Sequence, residues 1–346
     1  MKTSHRILYG DAERMLGEMT SSSVDLVVTS PPYPMIEMWD EMFSQQSRGV
    51  GELIAESDGD GAFELMHREL DPVWREVHRL LSPGGIACIN VGDATRKIGG
   101  SFRVFPNHAR ILTSCLGLGF EVLPEILWRK ESNKPTKFMG SGMLPGAAYV
   151  TQEHEYILVL RKGGKRPLGA LKRRLARQRS AFFWEERNLW FCDIWEDLQG
   201  DRQRLLSKNA RGRSAAFPFE LAYRLISMFS VQNELVLDPF VGTGTTMVAA
   251  MAAGRDSVGI ELDSSLREFL EERVIDSAAA SNSFNQRRIS SHREFVEKMR
   301  REGRELKHVN QHYGFTVMTG QETELRIPIL KKVARNGDGL FEVLYR

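Results

Sequence analysis

The chain is poor in cysteine, with three among 346 residues: Cys88, Cys115 and Cys192. They are far apart and odd in number, so neither a disulfide framework nor a cysteine zinc site is expected, and no metal is called for. A reducing, intracellular setting fits. The chain also lacks any apolar run near the roughly 18 residues that span a bilayer, so no membrane partner is expected. Its start, Met1-Lys2-Thr3-Ser4-His5-Arg6, leads directly into Ile7-Leu8-Tyr9 and carries no signal-peptide pattern. Net charge is nearly absent, at +2.

That small net charge hides an asymmetry. Residues 161–213 hold 15 Lys and Arg against 6 Asp and Glu. A basic segment in an otherwise slightly acidic chain points to a polyanion partner; the bland alternative is a solvated helical face. Leu171 to Arg179 reads as a helix carrying Lys172, Arg173, Arg174, Arg177 and Arg179, which suit phosphate contacts. Phe182, Phe183, Trp184, Trp190, Phe191 and Trp195 interleave nearby and suit base contacts.

Two stretches carry the chemistry. In the first, the apolar run Val24-Asp25-Leu26-Val27-Val28 reads as a buried strand and meets Thr29-Ser30-Pro31-Pro32-Tyr33. Two prolines cannot continue a central strand, because they donate no backbone N–H. The strand ends at Ser30, and in an open α/β sheet ligands bind at such ends. Ser30 offers a hydroxyl, Pro31 a carbonyl and Tyr33 a flat ring, a set suited to a planar base with an exocyclic amine. In the second stretch, strand Leu235-Val236-Leu237 runs into Asp238-Pro239-Phe240-Val241-Gly242-Thr243-Gly244-Thr245-Thr246, then a helix, then strand Ser257 to Glu261. The glycines let the backbone approach a ligand, and the terminal acid suits ribose hydroxyls. A P-loop needs a lysine that is absent, and a nicotinamide site wants a third glycine where Met247 stands.

Ser-Pro-Pro-Tyr resembles the catalytic motif of DNA amino-methyltransferases, and its serine is similar to the N4-cytosine branch. Asp-Pro-Phe-x-Gly-x-Gly-Thr-Thr resembles the same family's S-adenosylmethionine motif. The resemblance spans roughly residues 5–275. It implies a catalytic set of Ser30, Pro31, Pro32 and Tyr33. It implies that Asp238, Phe240, Gly242, Gly244, Thr245 and Thr246 surround the methionine end of the cofactor. Glu261 would hold the ribose, Asp11 the adenine, and Phe217 and Pro218 an adjoining wall. The basic segment would be the target-recognition region, with double-stranded DNA as substrate and a cognate restriction endonuclease as a candidate partner. The catalytic turn precedes the cofactor motif, which resembles the permuted, beta-type order. A bacterial, cytoplasmic, nucleoid-associated monomer or homodimer is the expectation. An N6-adenine enzyme and an inactive binding homologue remain alternatives. A C5-cytosine enzyme would need a cysteine after a proline, and none of the three cysteines follows one.

The expected fold is α/β: a Rossmann-like methyltransferase domain, its mostly parallel sheet doubly wound with an antiparallel edge pair. The expected division is a catalytic half, 1–161; a recognition segment, 162–213; a cofactor half, 214–275; and a linker with a C-terminal appendage, 276–346. In detail, residues 34–62 read as a long mobile loop. Residues 63–81 read as a helix bent or broken at Pro72. Residues 82–85 read as a tight turn, 121–130 as one strand, 276–286 as a linker, and 315–318, 324–330 and 340–345 as strands.

Overall fold

The computed structural model describes residues 1–130, 139–140, 143–166, 169, 171–198 and 217–346, with backbone alone at 139–140 and 171–172. Val24–Thr29 forms β2, as its apolar run requires, and its neighbours build outwards from it. β3 (Leu81–Val91) pairs parallel on one side and β8 (Leu235–Asp238) parallel on the other. β9 (Asp256–Glu261) and β1 (Lys2–Tyr9) continue the parallel run. Antiparallel strands flank this centre on both sides. Beyond β3 lie β6 (His154–Lys162), then β5 (Ile126–Arg129), each antiparallel to its inner neighbour, and β7 (Ile194–Trp195), parallel to β5, with β4 (Phe120–Val122) also antiparallel on β6. Beyond β1 lie β11 (Leu340–Tyr345) and β10 (Leu330–Arg335). The order among described residues is β7-β5-β6-β3-β2-β8-β9-β1-β11-β10.

Alternation along the strands explains the double winding. Val27, Ala87, Ile89, Leu158 and Leu237 face one core. It is covered by α1 (Ala12–Gly17), α4 (Gly59–Leu80) and α5 (Asn107–Gly117). Leu26, Val28, Cys88, Ile157, Val159 and Val236 face the other, under α8 (Phe219–Phe229) and α9 (Thr245–Ala253). The central strands β2, β3 and β8 bury both faces, as their near-continuous apolar sequences demand, whereas β1 alternates and exposes Lys2, Ser4 and Arg6.

Several local expectations give way to tertiary packing. The expected loop after Pro34 contains α2 (Asp40–Gln46) and α3 (Arg48–Ala55), pinned by fully buried Phe43 and Val50. Helix α4 runs unbroken through Pro72, because Met66, Leu70, Val73, Trp74 and Val77 bury one face along its whole length. That burial outweighs a proline cost of about 3 kcal/mol. Residues 82–85 belong to β3 as a bulge, where Gly84 takes φ +77 and a Cβ would meet the Arg166 backbone nitrogen at 2.5 Å. The expected strand 121–130 is split into β4 and β5, with Pro124 in the break.

The expected linker 276–286 lies almost wholly in α11 (Ser277–Arg301), which follows α10 (Arg267–Ile275). Its polar residues are stitches: Asn285 Nδ2 donates to the carbonyls of Ala252, at 2.8 Å, and Pro328, at 2.7 Å. The C-terminal strands join the main sheet through β11 on β1. Residues 324–329 are not strand. Among described residues no helix is long and apolar enough to cross a membrane.

Candidate active site at the carboxyl ends of the central strands

Asp238 ends β8 and is 3% exposed. Its carboxylate accepts from Thr29 Oγ1 at 2.6 Å, Thr246 Oγ1 at 2.6 Å and the Phe240 backbone N–H at 3.1 Å. One acid thus ties the end of β2, the end of β8 and the first turn of α9 together. Burial pushes its carboxyl up to about 6, and those three donors oppose the rise. The chain then turns through Gly242 at φ +51 and Gly244 at φ +83. At Gly244 the positive φ favours glycine, and a Cβ would also press on the Leu270 side chain at 2.5 Å. At Gly242 a Cβ would meet nothing nearer than 3.9 Å, so the backbone there faces open space, as a ligand cradle needs. Glu261 ends β9; burial raises its pKa, while N–H bonds from Asp263 at 2.8 Å and Gly242 at 2.9 Å oppose the rise. Phe240 packs edge-on against Trp74. Thr245 is buried, and its hydroxyl accepts from Arg273 at 3.3 Å.

The turn after β2 lies beside this loop. Pro31 and Pro32 are buried and Ser30 is partly exposed. Asn107 Nδ2 clamps the turn from below, donating to Pro34 O at 3.1 Å and Gly92 O at 3.0 Å. Met35 sits at φ +65, a costly conformation for a large side chain that surrounding contacts hold in place. Arg96 grips Asp40 through two bonds, at 2.8 and 2.7 Å, and fastens α2 over the turn.

Tyr33 departs from its expected role. Its ring is 4% exposed within the core, so it presents no open face for stacking. Its hydroxyl instead enters a buried polar cluster. It lies 2.9 Å from Ser30 Oγ and 3.1 Å from Glu155 Oε2. Asn90 Nδ2 donates to Tyr33 at 2.9 Å and to Glu155 at 2.7 Å, and Lys130 Nζ donates to Glu155 Oε1 at 2.7 Å. Sequence reading passed over Asn90, Thr29 and Asn107. A signal existed: Asn90 is the single polar side chain in Ile86-Ala87-Cys88-Ile89-Asn90-Val91, and Glu155 opens another apolar strand.

The remaining candidates divide. Asp11 caps α1, accepting from the Arg14 N–H at 3.0 Å, and its exposed side chain stands at the end of β1. Phe217 is 5% exposed in the second core, and Pro218 caps α8. The basic helix forms as expected, as α6 (Leu171–Arg179), with Arg173, Arg174, Arg177 and Arg179 exposed. The side chain of Lys172 and all of residues 199–216 lie outside the described residues.

Helix α6 is not beside Ser30. Ser180 Oγ, just past it, accepts from the Gln232 N–H at 2.8 Å. Arg173 and Arg179 line a cavity of about 610 Å³ with Asp25 and Glu234, at the amino ends of β2 and β8. The interleaved aromatics divide: Trp184 and Phe191 are 38% and 41% exposed and Phe182 is partly buried, while Phe183, Trp190 and Trp195 are core, 0–3% exposed and packed on α7 (Trp184–Trp190), α8 and α11. Apolar area that a core can bury keeps the last three from being a base-reading surface.

A parallel, doubly wound centre with a glycine cradle and a proline turn at adjoining strand ends defines a Rossmann-like methyltransferase domain. The chain belongs to the DNA methylase family of N6 and N4 type, whose model matches residues 24–272. It is 50% identical, over its whole length and 96% of the relative, to the type II methyltransferase M.MthZI of Methanothermobacter thermautotrophicus. It is 49% identical to the type II methyltransferase M.MjaI of Methanocaldococcus jannaschii, covering 79% of this chain and 91% of the relative. Among solved structures it is similar to a putative DNA modification methylase of Thermus thermophilus complexed with S-adenosyl-L-methionine. That likeness has a TM-score of 0.61 and 37% identity, over 78% of this chain and 94% of the other. S-adenosylmethionine is the cofactor, and the open space above Gly242 beside Glu261 fits it.

Proposed function

We propose that this chain methylates the exocyclic N4 amine of cytosine in duplex DNA, as the modification enzyme of a type II restriction-modification pair. The observation that carries the reading is the Thr29–Asp238–Thr246 join, which ties the residue before Ser30 to the first residue of the cofactor loop. The serine in Ser30-Pro31-Pro32-Tyr33 favours cytosine over adenine by its resemblance to the N4 branch. The names of the relatives from the two methanogens support the restriction-modification setting, with a cognate endonuclease as partner and DNA in the cell interior as the place of action. The chain order, catalytic turn before cofactor loop, supports the permuted arrangement.

An exocyclic amine is a weak nucleophile because its lone pair conjugates with the ring. Acceptors at Ser30 Oγ and Pro31 O would hold both amine hydrogens and localise the lone pair on the open side. Bound S-adenosylmethionine supplies an electrophilic methyl group. The chain's own work is positioning and electrostatics: Asp238, Gly242, Gly244, Phe240 and Glu261 hold the cofactor wall, with Phe217, Pro218, Thr245, Thr246 and Asp11 around it. The base must leave the duplex to reach a turn this buried.

The test is modification-sensitive sequencing of DNA from a methylation-free host, wild type beside Ser30→Ala. N4-methylcytosine at one short motif, lost in the variant, supports the reading. Methyladenine at such a motif overturns the base assignment and favours the N6 alternative.

A further inference from the structure

We propose that Glu155 is a positioning residue that polarises the hydroxyl chain Tyr33–Ser30, so that Ser30 meets the substrate as an acceptor and relays the proton the amine must lose. The inference rests on the amine-methylation reading above and assigns work to a cluster that reading does not use.

The argument is an inventory of donors. Asn90 Nδ2 has only hydrogens to give, and it gives them to the Tyr33 hydroxyl and to Glu155 Oε2, at 2.9 and 2.7 Å. The Tyr33 oxygen therefore accepts from Asn90. Its own single proton has three acceptors in reach: Glu155 Oε2 at 3.1 Å, Asn90 O at 3.4 Å and Ser30 Oγ at 2.9 Å. A carboxylate is the strongest of these acceptors. With the Tyr33 proton on Glu155, Ser30 must donate to Tyr33. The one serine proton is then committed, and its lone pairs are left for an incoming N–H. Without charge at position 155, the tyrosine proton can turn to Ser30, whose own proton would then oppose the amine.

The cluster is built for this and has spare capacity. Glu155 is 8% exposed, and Lys130, with its side chain 35% exposed, links its other oxygen to solvent. Asn90 Oδ1 is buried and has no donor among the described residues, so the cluster has room for one more N–H or O–H. Gly92 lines the cluster tightly, since a Cβ there would meet Tyr33 at 3.1 Å and Glu155 at 3.3 Å.

The proton count closes. Transfer joins the amine nitrogen to the methyl carbon through the nitrogen lone pair, leaves the methyl–sulfur bonding pair on sulfur, and obliges the nitrogen to shed one proton. That proton passes to Ser30 Oγ, the serine proton to the Tyr33 oxygen, and the tyrosine proton to Glu155 Oε2. Ser30 and Tyr33 end neutral, Glu155 ends as a carboxylic acid, and water beside Lys130 takes the proton away.

The test compares wild type, Glu155→Gln, Tyr33→Phe and the double variant. Glu155→Gln should lower kcat about 100-fold. It should leave equilibrium binding of S-adenosylhomocysteine, and the fluorescence of 2-aminopurine at the target position, within about twofold of wild type. The double variant should be no slower than the slower single one, because both break one chain. A kcat within threefold of wild type in Glu155→Gln, or fully additive losses, overturns the proposal. A structural readout stands apart from methylation. In protein labelled with ζ-13C-tyrosine, the Tyr33 resonance, assigned by its absence in Tyr33→Phe, should shift in Glu155→Gln without cofactor or DNA. An unmoved resonance in a folded variant also overturns it. A shifted resonance in protein that makes no N4-methylcytosine would fault the function reading and leave the hydroxyl arrangement standing.

Discussion

The two ends of β2 are built on opposite principles. At its carboxyl end stand Thr29, Ser30 and Tyr33, mostly buried and tied to Asp238, Asn90 and Glu155. At its amino end Asp25 faces a cavity of about 610 Å³ under the exposed arginines of α6, with Arg326 and Arg346 beside them. The first end buries its acids and holds them in fixed hydrogen bonds. The second is rich in charge and open. Charge density in a sequence marks where solvent or a polyanion can lie. Chemistry needs preorganised donors and acceptors held out of water, and these look ordinary in a charge count.

Removing the hydroxyl at the carboxyl end should have the largest effect. Ser30→Ala should lower kcat by about 1,000-fold with little change in cofactor affinity, measured by single-turnover methylation and equilibrium binding. A loss under tenfold would move the acceptor role to backbone carbonyls and blur the contrast between the two ends.

The next effect falls on Asp238, and its sign can be worked out. Burial raises the folded-state pKa from 3.8 to about 6, so the folded protein keeps this proton across a window where the unfolded chain has lost it. The favourable share is fully present below about pH 4 and is lost as pH rises to about 6, on the order of 3 kcal/mol. His5 and His67 act the other way: burial lowers them to about 3 and about 4. Their share is present above about pH 6.5 and is lost as pH falls. Wild type minus Asp238→Asn in urea unfolding across pH 4–7 cancels the histidines and isolates the aspartate. A flat difference would show that the carboxylate is as well solvated by its three donors as by water.

How much of this was legible follows from the same contrast. The strands and both loops could be read because prolines, glycines and unbroken apolar runs constrain backbone directly, as at Pro31-Pro32 and Gly242 to Gly244. Which of the polar residues on other strands meet those loops could not be read, although Asn90 and Glu155 stand out within apolar runs. Asn90, Glu155 and Lys130 come from separate stretches of chain, and only the pairing of β6 with β3 and β5 brings them to Tyr33. Likewise Asn282 and Asn285 looked like linker chemistry, while the structure uses both inside a buried helix contact. Trp190 and Trp195 read as nucleic-acid contacts because aromatics beside arginines fit both a core and an interface, and only burial separates the two.

The smallest effect should come from α6, and it decides whether the two ends of β2 are functionally separate. Strand β2 has six residues, so its ends lie about 16 Å apart at roughly 3.3 Å per residue. Arg173 and Arg179 line the cavity at the amino end, so a duplex engaged at the carboxyl end alone would not rest on that helix. Replacing all four by glutamine should therefore change affinity for a target duplex by less than about threefold and leave its salt dependence unaltered. Were these side chains phosphate contacts, each loss would reduce the slope of log affinity against log salt by about 0.9. Titration by fluorescence anisotropy at several salt concentrations, with a thermal melt as a check on folding, reads both quantities. A shallower slope with more than a tenfold loss would place DNA at the amino end as well. The recognition surface would then extend over both ends of the strand, and exposed charge would share in function with the buried cluster at Ser30.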